Sequence, residues 1–169
     1  MEEDSRKQVF VLLAGPSSSG KTTAAIELED EHGFVRISSD DIRHEMFGET
    51  YNRTENAKVF KEAHRRSREA LSAGKDVVFD ATNCLAANRY RALKNSIPED
   101  VDVMKVCAVY TDASPETILL RNANRAKPVP ERIVLRMHKS LNDATPQLYE
   151  GYDMIIDLEK LVDVIGLSR

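Results

Sequence analysis

The sequence predicts an α/β fold, a five-stranded parallel sheet with helices on both faces in three layers. Short, continuous apolar runs recur along the 169 residues, as expected of strands buried on both sides. Helix-length segments with their own start and stop residues alternate with them. No Gly/Pro-rich linker, internal repeat or low-complexity tract interrupts the alternation, so residues 1–169 are expected to form a single domain.

The elements follow in order. Residues 8–14, QVFVLLA, read as the first strand, and 21–31 as a helix that Gly33 ends at the left-handed capping position. Residues 34–38 form a second strand and 40–47 a short helix closed by Gly48. Residues 54–73 form a long helix with Val59, Phe60, Ala63, Ala70 and Leu71 on one side and Gly74 after its end. Asn52 and Glu55 have capping-box spacing before it. DVVFD, 76–80, is a third buried strand, and 86–95 a helix stopped before Pro98. Valine-rich 101–110 is the fourth strand. Ser114 caps and Pro115 opens a helix running to about residue 126, which KPVP, 127–130, breaks. Residues 131–142 are helical, and DMIID, 153–157, is the fifth strand.

Hydrophobic content of 41% and charged content of 31% suit a globular protein. Cys84 and Cys107 form no CxxC or zinc spacing, which suggests free thiols in a reducing compartment. No apolar run approaches the roughly 20 residues that span a bilayer, and MEEDSRKQ lacks a signal-peptide core. A cytoplasmic location and no membrane partner are expected. The net charge of −4 is segregated: residues 53–75 carry +4 and residues 121–139 carry +5, leaving −13 elsewhere. Two basic segments on an acidic protein suggest a polyanionic partner; the competing reading is two solvated helix faces.

GPSSSGKT, residues 15–22, fits G-x-x-x-x-G-K-[ST] between a strand and a helix. Gly15 and Gly20 let the backbone N–H groups of Ser17, Ser18 and Ser19 turn inward around a phosphate, and the helix dipole adds positive potential at Thr22 and Thr23. Lys21 can reach the β- and γ-phosphates, and the Thr22 hydroxyl can ligate Mg²⁺. A plain serine-rich turn capping a helix is the alternative. Kinases, motor ATPases and switches all use such a loop. No N-K-x-D guanine signature follows a later strand, which favours ATP.

Asp40 and Asp41 follow the second strand, where open parallel sheets place ligand contacts. Asp40 reads as a proton acceptor for an attacking hydroxyl, with Arg43 at i+3 able to reach the same site; helix capping is the alternative. Asp80 ends the third strand and reads as the carboxylate that orients Mg²⁺, with Thr82 and Asn83 as further polar groups in the crevice. Arg121 and Arg125, four apart, read as a phosphate clamp on one helix face.

The order GPSSSGKTT, SSDDIR, DATN, RNANRAKPVP, LRMHKSL resembles the P-loop polynucleotide 5′-hydroxyl kinases over residues 9–152. That resemblance implies a P-loop kinase fold with a helical lid over residues 121–139, Asp40 as general base, Arg43 on the acceptor phosphate and Arg125 on the donor phosphates. It implies ATP and Mg²⁺ as cofactors and the 5′-OH end of DNA or RNA as acceptor. Phage-type members read D-T-N where this chain has Asp80-Ala81-Thr82-Asn83, and D-A-T-N also resembles zeta-toxin-like and small-metabolite P-loop kinases. A small-molecule kinase is therefore the second reading, and an ATP-dependent switch or binding protein the third.

Overall fold

The computed structural model describes residues 6–48, 53–112 and 114–167. Five parallel strands, β1 (Gln8–Ala14), β2 (Val35–Ser38), β3 (Val77–Asp80), β4 (Val103–Val109) and β5 (Met154–Asp157), pair in the order β2-β3-β1-β4-β5. The helices are α1 (Lys21–His32), α2 (Ser39–Phe47), α3 (Asn56–Ser72), α4 (Ala86–Ser96), α5 (Glu116–Ala123), α6 (Glu131–Asp143) and α7 (Leu161–Leu167). Among the described residues, no helix is long and apolar enough to cross a membrane.

The apolar run of β1 takes the central position because it can be buried on both faces. Val9 to Ala14 are all buried, and β4 pairs along the whole strand, from Gln8↔Val103 to Ala14↔Val109. Edge strand β5 is only partly buried. In parallel register, paired residues share a face. Arg36 with Val78 and Ser38 with Asp80 therefore lie on one side, and Ile37 with Phe79 on the other. Phe79 stacks on His64 of α3 at a centroid distance of 5.8 Å. The opposite face receives α1, whose Thr22 reaches Asp80 and whose Ala25 and Leu28 are buried. These are the three expected layers.

Several boundaries differ from the sequence reading for identifiable reasons. The predicted 54–73 helix opens as a 3-10 turn, Arg53–Glu55, before α3. Glu55 pairs with Lys58 at 3.0 Å, and Asn52 of the expected capping box lies outside the described residues. β3 begins at Val77 because Asp76 is a tie between strands. Its carboxylate accepts the Val9 N–H at 2.8 Å and meets Arg6 at 2.9 Å, and its carbonyl accepts the Val35 N–H. α5 ends at Ala123 because the buried Asn122 side chain brackets Val129, donating to its carbonyl at 2.8 Å and accepting its N–H at 3.0 Å. α7, which packs on α1, has no counterpart in the sequence reading.

Arg89 is fully buried, with its charge satisfied. It donates to Glu150 at 2.8 Å and to the carbonyls of Asn83 and Ala144 at 3.1 and 2.6 Å. One guanidinium thereby joins the segment after β3, the end of α6 and the turn before β5.

Candidate nucleotide-binding and phosphoryl-transfer site

The loop between β1 and α1 is built around two glycines. A Cβ at Gly15 would stand 2.5 Å from Ser19 Oγ and 3.0 Å from Tyr110 Cβ, so both neighbours would have to give way, and the Gly15 N–H donates to the Thr82 carbonyl at 2.8 Å. Gly20 precedes α1 at φ 95°, where side chains are disfavoured; Ser18 also sits left-handed, at φ 70°. Alternation of this kind turns successive N–H groups into an anion-binding concavity. The N-terminus of α1 has neither a side-chain cap nor an acidic residue in its first turn, so its dipole and orphan donors face the loop uncompensated. The Ser19 hydroxyl is buried without a hydrogen-bond partner among the described residues.

Lys21 is 7% exposed, and its ammonium donates to the Pro16 carbonyl at 2.9 Å. Burial lowers its pKa; Asp80 and Asp40 oppose that shift and Arg125 adds to it. A buried cation of this kind asks for an anion. Thr22 Oγ1 donates to Asp80 Oδ2 at 3.0 Å. Burial raises the pKa of Asp80, while Lys21, the Thr22 hydrogen bond and Arg36 pull it down. Among the described residues, no group of three or more His, Cys, Asp or Glu could hold a metal ion. The Thr22–Asp80 pair fits Mg²⁺, which takes one or two protein oxygens together with substrate phosphates and water.

At the start of α2, the cap is Ser38, whose hydroxyl accepts the Asp41 N–H at 3.2 Å. The Asp40 side chain takes no part in capping: it is 84% exposed and pairs with Arg43 at 2.6 Å. Arg43 also donates to Asn56 at 3.1 Å, and Asp41 pairs with Arg36 at 2.8 Å. Arg121 donates to the Ser18 carbonyl and Arg125 to the Ser18 hydroxyl, each at 3.5 Å. Arg125 lies past the end of α5, so the expected shared helix face is replaced by a helix and a turn that converge on the same serine. From α6, Met137 Sδ accepts from Ser17 Oγ at 3.8 Å.

The structure thus brings together Gly15, Ser17, Ser18, Ser19, Gly20, Lys21, Thr22, Asp80, Arg121 and Arg125, with Asp40 in electrostatic reach of Lys21 and Asp80. Thr23 is exposed on the first turn of α1. Asn83 departs from the expectation of a crevice ligand. It is buried at φ 47° and donates to the Leu13 carbonyl at 2.9 Å, which makes it a brace for the strand end. The sequence reading did not single out Arg36, Asn122 or Arg89; only the i+5 spacing of Arg36 and Asp41 could have hinted at the first.

A family model described as an AAA domain, AAA_33, matches residues 10–144. The chain belongs to this family. No curated protein matches the sequence. Solved structures similar to this AAA domain include a chain of the Pnkp1/Rnl/Hen1 RNA repair complex, 20% identical with a TM-score of 0.65. That similarity covers 85% of this chain and 47% of the other, so this chain spans about half its length. The tunicamycin resistance protein of Deinococcus radiodurans is 13% identical, with a TM-score of 0.63 and 96% and 95% of the two chains covered. Shikimate kinase from Bacteroides thetaiotaomicron is 14% identical, with a TM-score of 0.61 and 94% and 98% covered. At these identities the likeness is one of fold, the α/β P-loop kinase-like fold.

Proposed function

We propose that the protein is a kinase that moves the γ-phosphate of ATP to a hydroxyl, the 5′-OH end of a DNA or RNA strand. The observation that carries this reading is the convergence on Lys21. Asp80 from the end of β3, Asp40 from α2 and Arg125 from the α5–α6 turn all act electrostatically on one buried ammonium. A nucleotide-binding switch has use for the first of these groups. A carboxylate exposed beside an arginine, within electrostatic reach of the same cation from another element, is what an acceptor hydroxyl requires.

In this scheme the loop amides, Lys21, Arg121 and Arg125 hold the donor phosphates, and residues 121–139 serve as the lid. Mg²⁺, held through Thr22 and Asp80, supplies charge neutralisation of the phosphates when bound. Asp40 takes the acceptor proton as the oxygen forms its bond to the γ-phosphorus and the bond to the ADP oxygen breaks. Arg43, which holds Asp40, pairs with the acceptor phosphate. Lys21 and Arg125 stabilise the charge that develops in transfer.

The motif order and the basic 121–139 segment support a nucleic-acid acceptor. A small-molecule acceptor is the second reading. It is favoured by the internal pairing of the other basic segment, where Arg65 and Arg66 are bonded to Glu62, Glu69 and Glu45. Transfer from γ-labelled ATP should be screened against 5′-OH oligonucleotides, nucleosides and hydroxylated metabolites. Label on oligonucleotides is the expected result. Label confined to the small acceptors establishes the second reading, and ATP binding without transfer to any acceptor establishes a switch.

A further inference from the structure

The sequence contains two basic segments of similar charge, and the structure makes them unequal. On α3, the guanidinium of Arg65 contacts Glu62 at 2.8 Å and Glu69 at 2.6 Å, and that of Arg66 contacts Glu45 at 2.6 Å and Glu62 at 2.9 Å. Hydrogen bonds to Glu62, two from Arg65 and one from Arg66, hold its carboxyl down at about 2. Lys58 is paired with Glu55, and Arg68 donates to the Asn95 carbonyl. An incoming phosphate would have to compete with partners already in place. Much of the positive charge of α3 is consumed within the protein.

On α6 the pattern is reversed. Arg132 and Arg136 are exposed, and among the described residues neither makes an ion pair or a side-chain hydrogen bond. They stand four apart and so form one ridge of the helix. Lys139, further along, is paired with Asp143. The inner face of α6 is fixed by buried Val134, His138 and Leu141, and His138 Nε2 lies 3.0 Å from the Asp112 carbonyl. Met137, the residue after Arg136, meets Ser17 of the phosphate loop. Successive helical residues are about 100° apart. The arginine ridge therefore lies about a third of a turn from the helix edge that touches the loop.

We infer that Arg132 and Arg136 form the surface along which the single-stranded acceptor runs, binding its backbone phosphates beyond the 5′-terminal nucleotide. The occupant is set by charge complementarity: two guanidiniums with open donors, one helical turn apart, beside a phosphate-transfer loop. This inference rests on the proposed 5′-OH acceptor. It adds that the strand is held by α6 and not by α3, although α3 has more basic residues.

The test compares a 5′-OH dinucleotide with a 5′-OH 12-nucleotide strand as acceptor. Wild-type protein is compared with the double variant Arg132→Gln/Arg136→Gln, which removes two cations that have no partner among the described residues. In the wild type, KM should be lower for the longer strand. The variant should lose most of that length advantage, a rise of roughly 10-fold or more in the 12-mer KM, and any change that it makes in kcat or KM on the dinucleotide should be several-fold smaller than its effect on the 12-mer. The log–log salt dependence of 12-mer binding should weaken by about 1.4, since each single-strand phosphate contact contributes about 0.7. A variant that phosphorylates the 12-mer with wild-type KM and salt slope overturns the α6 track and leaves the 5′-OH kinase reading standing. Wild-type protein that phosphorylates no oligonucleotide of either length overturns both.

Discussion

Ser38 and Asp40 are two residues apart, and the structure gives the cap of α2 to Ser38 and leaves the Asp40 carboxylate outside it. Ser38 caps α2 through its hydroxyl, whereas Asp40 points its carboxylate outward to Arg43. The two substitutions should therefore fail in different ways. Ser38→Ala should cost about 0.5–2 kcal/mol of stability, the usual range for a lost cap, read as a lower urea midpoint. Asp40→Asn should leave that midpoint nearly unchanged and slow transfer by about 10²-fold or more, the scale of a missing general base. An Asp40→Asn protein that melts early but turns over normally would return Asp40 to a structural role. The aspartate itself was legible in the sequence from its place after an apolar strand. The hydroxyl that relieves it of capping was not, because Ser38, Ser39 and Asp40 all have capping chemistry and only the backbone angles choose among them.

At the scale of elements, the α5–α6 connection shows where local signals run out. KPVP marked a break, and α6 begins at Glu131 as expected. The earlier end of α5 depends on Asn122, seven residues from the backbone groups of Val129 that it brackets. No periodicity or propensity encodes a bond of that kind. The 3-10 opening before α3 and the short α7 escaped for a similar reason: each is a single turn or two, settled by packing. Asn122→Ala removes two hydrogen bonds from a buried amide at the base of the Arg125 turn. We expect a loss of about 1–3 kcal/mol, together with a drop of at least about 10-fold in kcat/KM for ATP as Arg125 loses its anchor. Thermal melting and steady-state kinetics on the same preparation check both. A destabilised variant with unchanged kcat/KM would separate the turn from the donor site.

Over the whole molecule, the layers were legible because a strand buried on both faces must be apolar along its buried length, as β1 after Gln8, β3 before Asp80 and most of β4 are. Strand order was not, since pairing β1 with β3 and β4 joins residues nearly seventy and a hundred positions apart. The same burial that makes the sheet readable silences its thiols. Cys84 and Cys107 are pushed up to about 11 and about 12 by desolvation. At pH 8, a thiol reagent should find neither quickly in the native protein and both in denaturant. Because the folded thiols keep their protons above the ordinary value of 9.0, the folded chain binds more protons than the unfolded one through that range. Stability is therefore lost as pH rises from about 9 toward those raised values, and Cys84→Ala/Cys107→Ala should flatten the slope.

The phosphate loop links the whole fold to its ligand. Without nucleotide, Lys21 is a buried cation whose pKa burial lowers, and Ser19 keeps a hydroxyl without a partner among the described residues. A bound polyphosphate would satisfy both groups, along with the orphan N–H groups of α1. Binding at 100 times Kd stabilises a fold by about 2.7 kcal/mol. For a protein of this size that raises Tm by roughly 5–10 °C. Melting with Mg²⁺ and a non-hydrolysable ATP analogue should show that rise in the wild type. Lys21→Ala should lose most of it while still melting cooperatively without ligand. Asp40→Asn should retain it, because Asp40 is assigned to the acceptor and not to the nucleotide. Loss of the shift in Asp40→Asn would move that carboxylate to the donor side. Retention of the full shift in Lys21→Ala would remove the lysine from the nucleotide site altogether, and with it the convergence of Asp80, Asp40 and Arg125 on which the kinase reading rests.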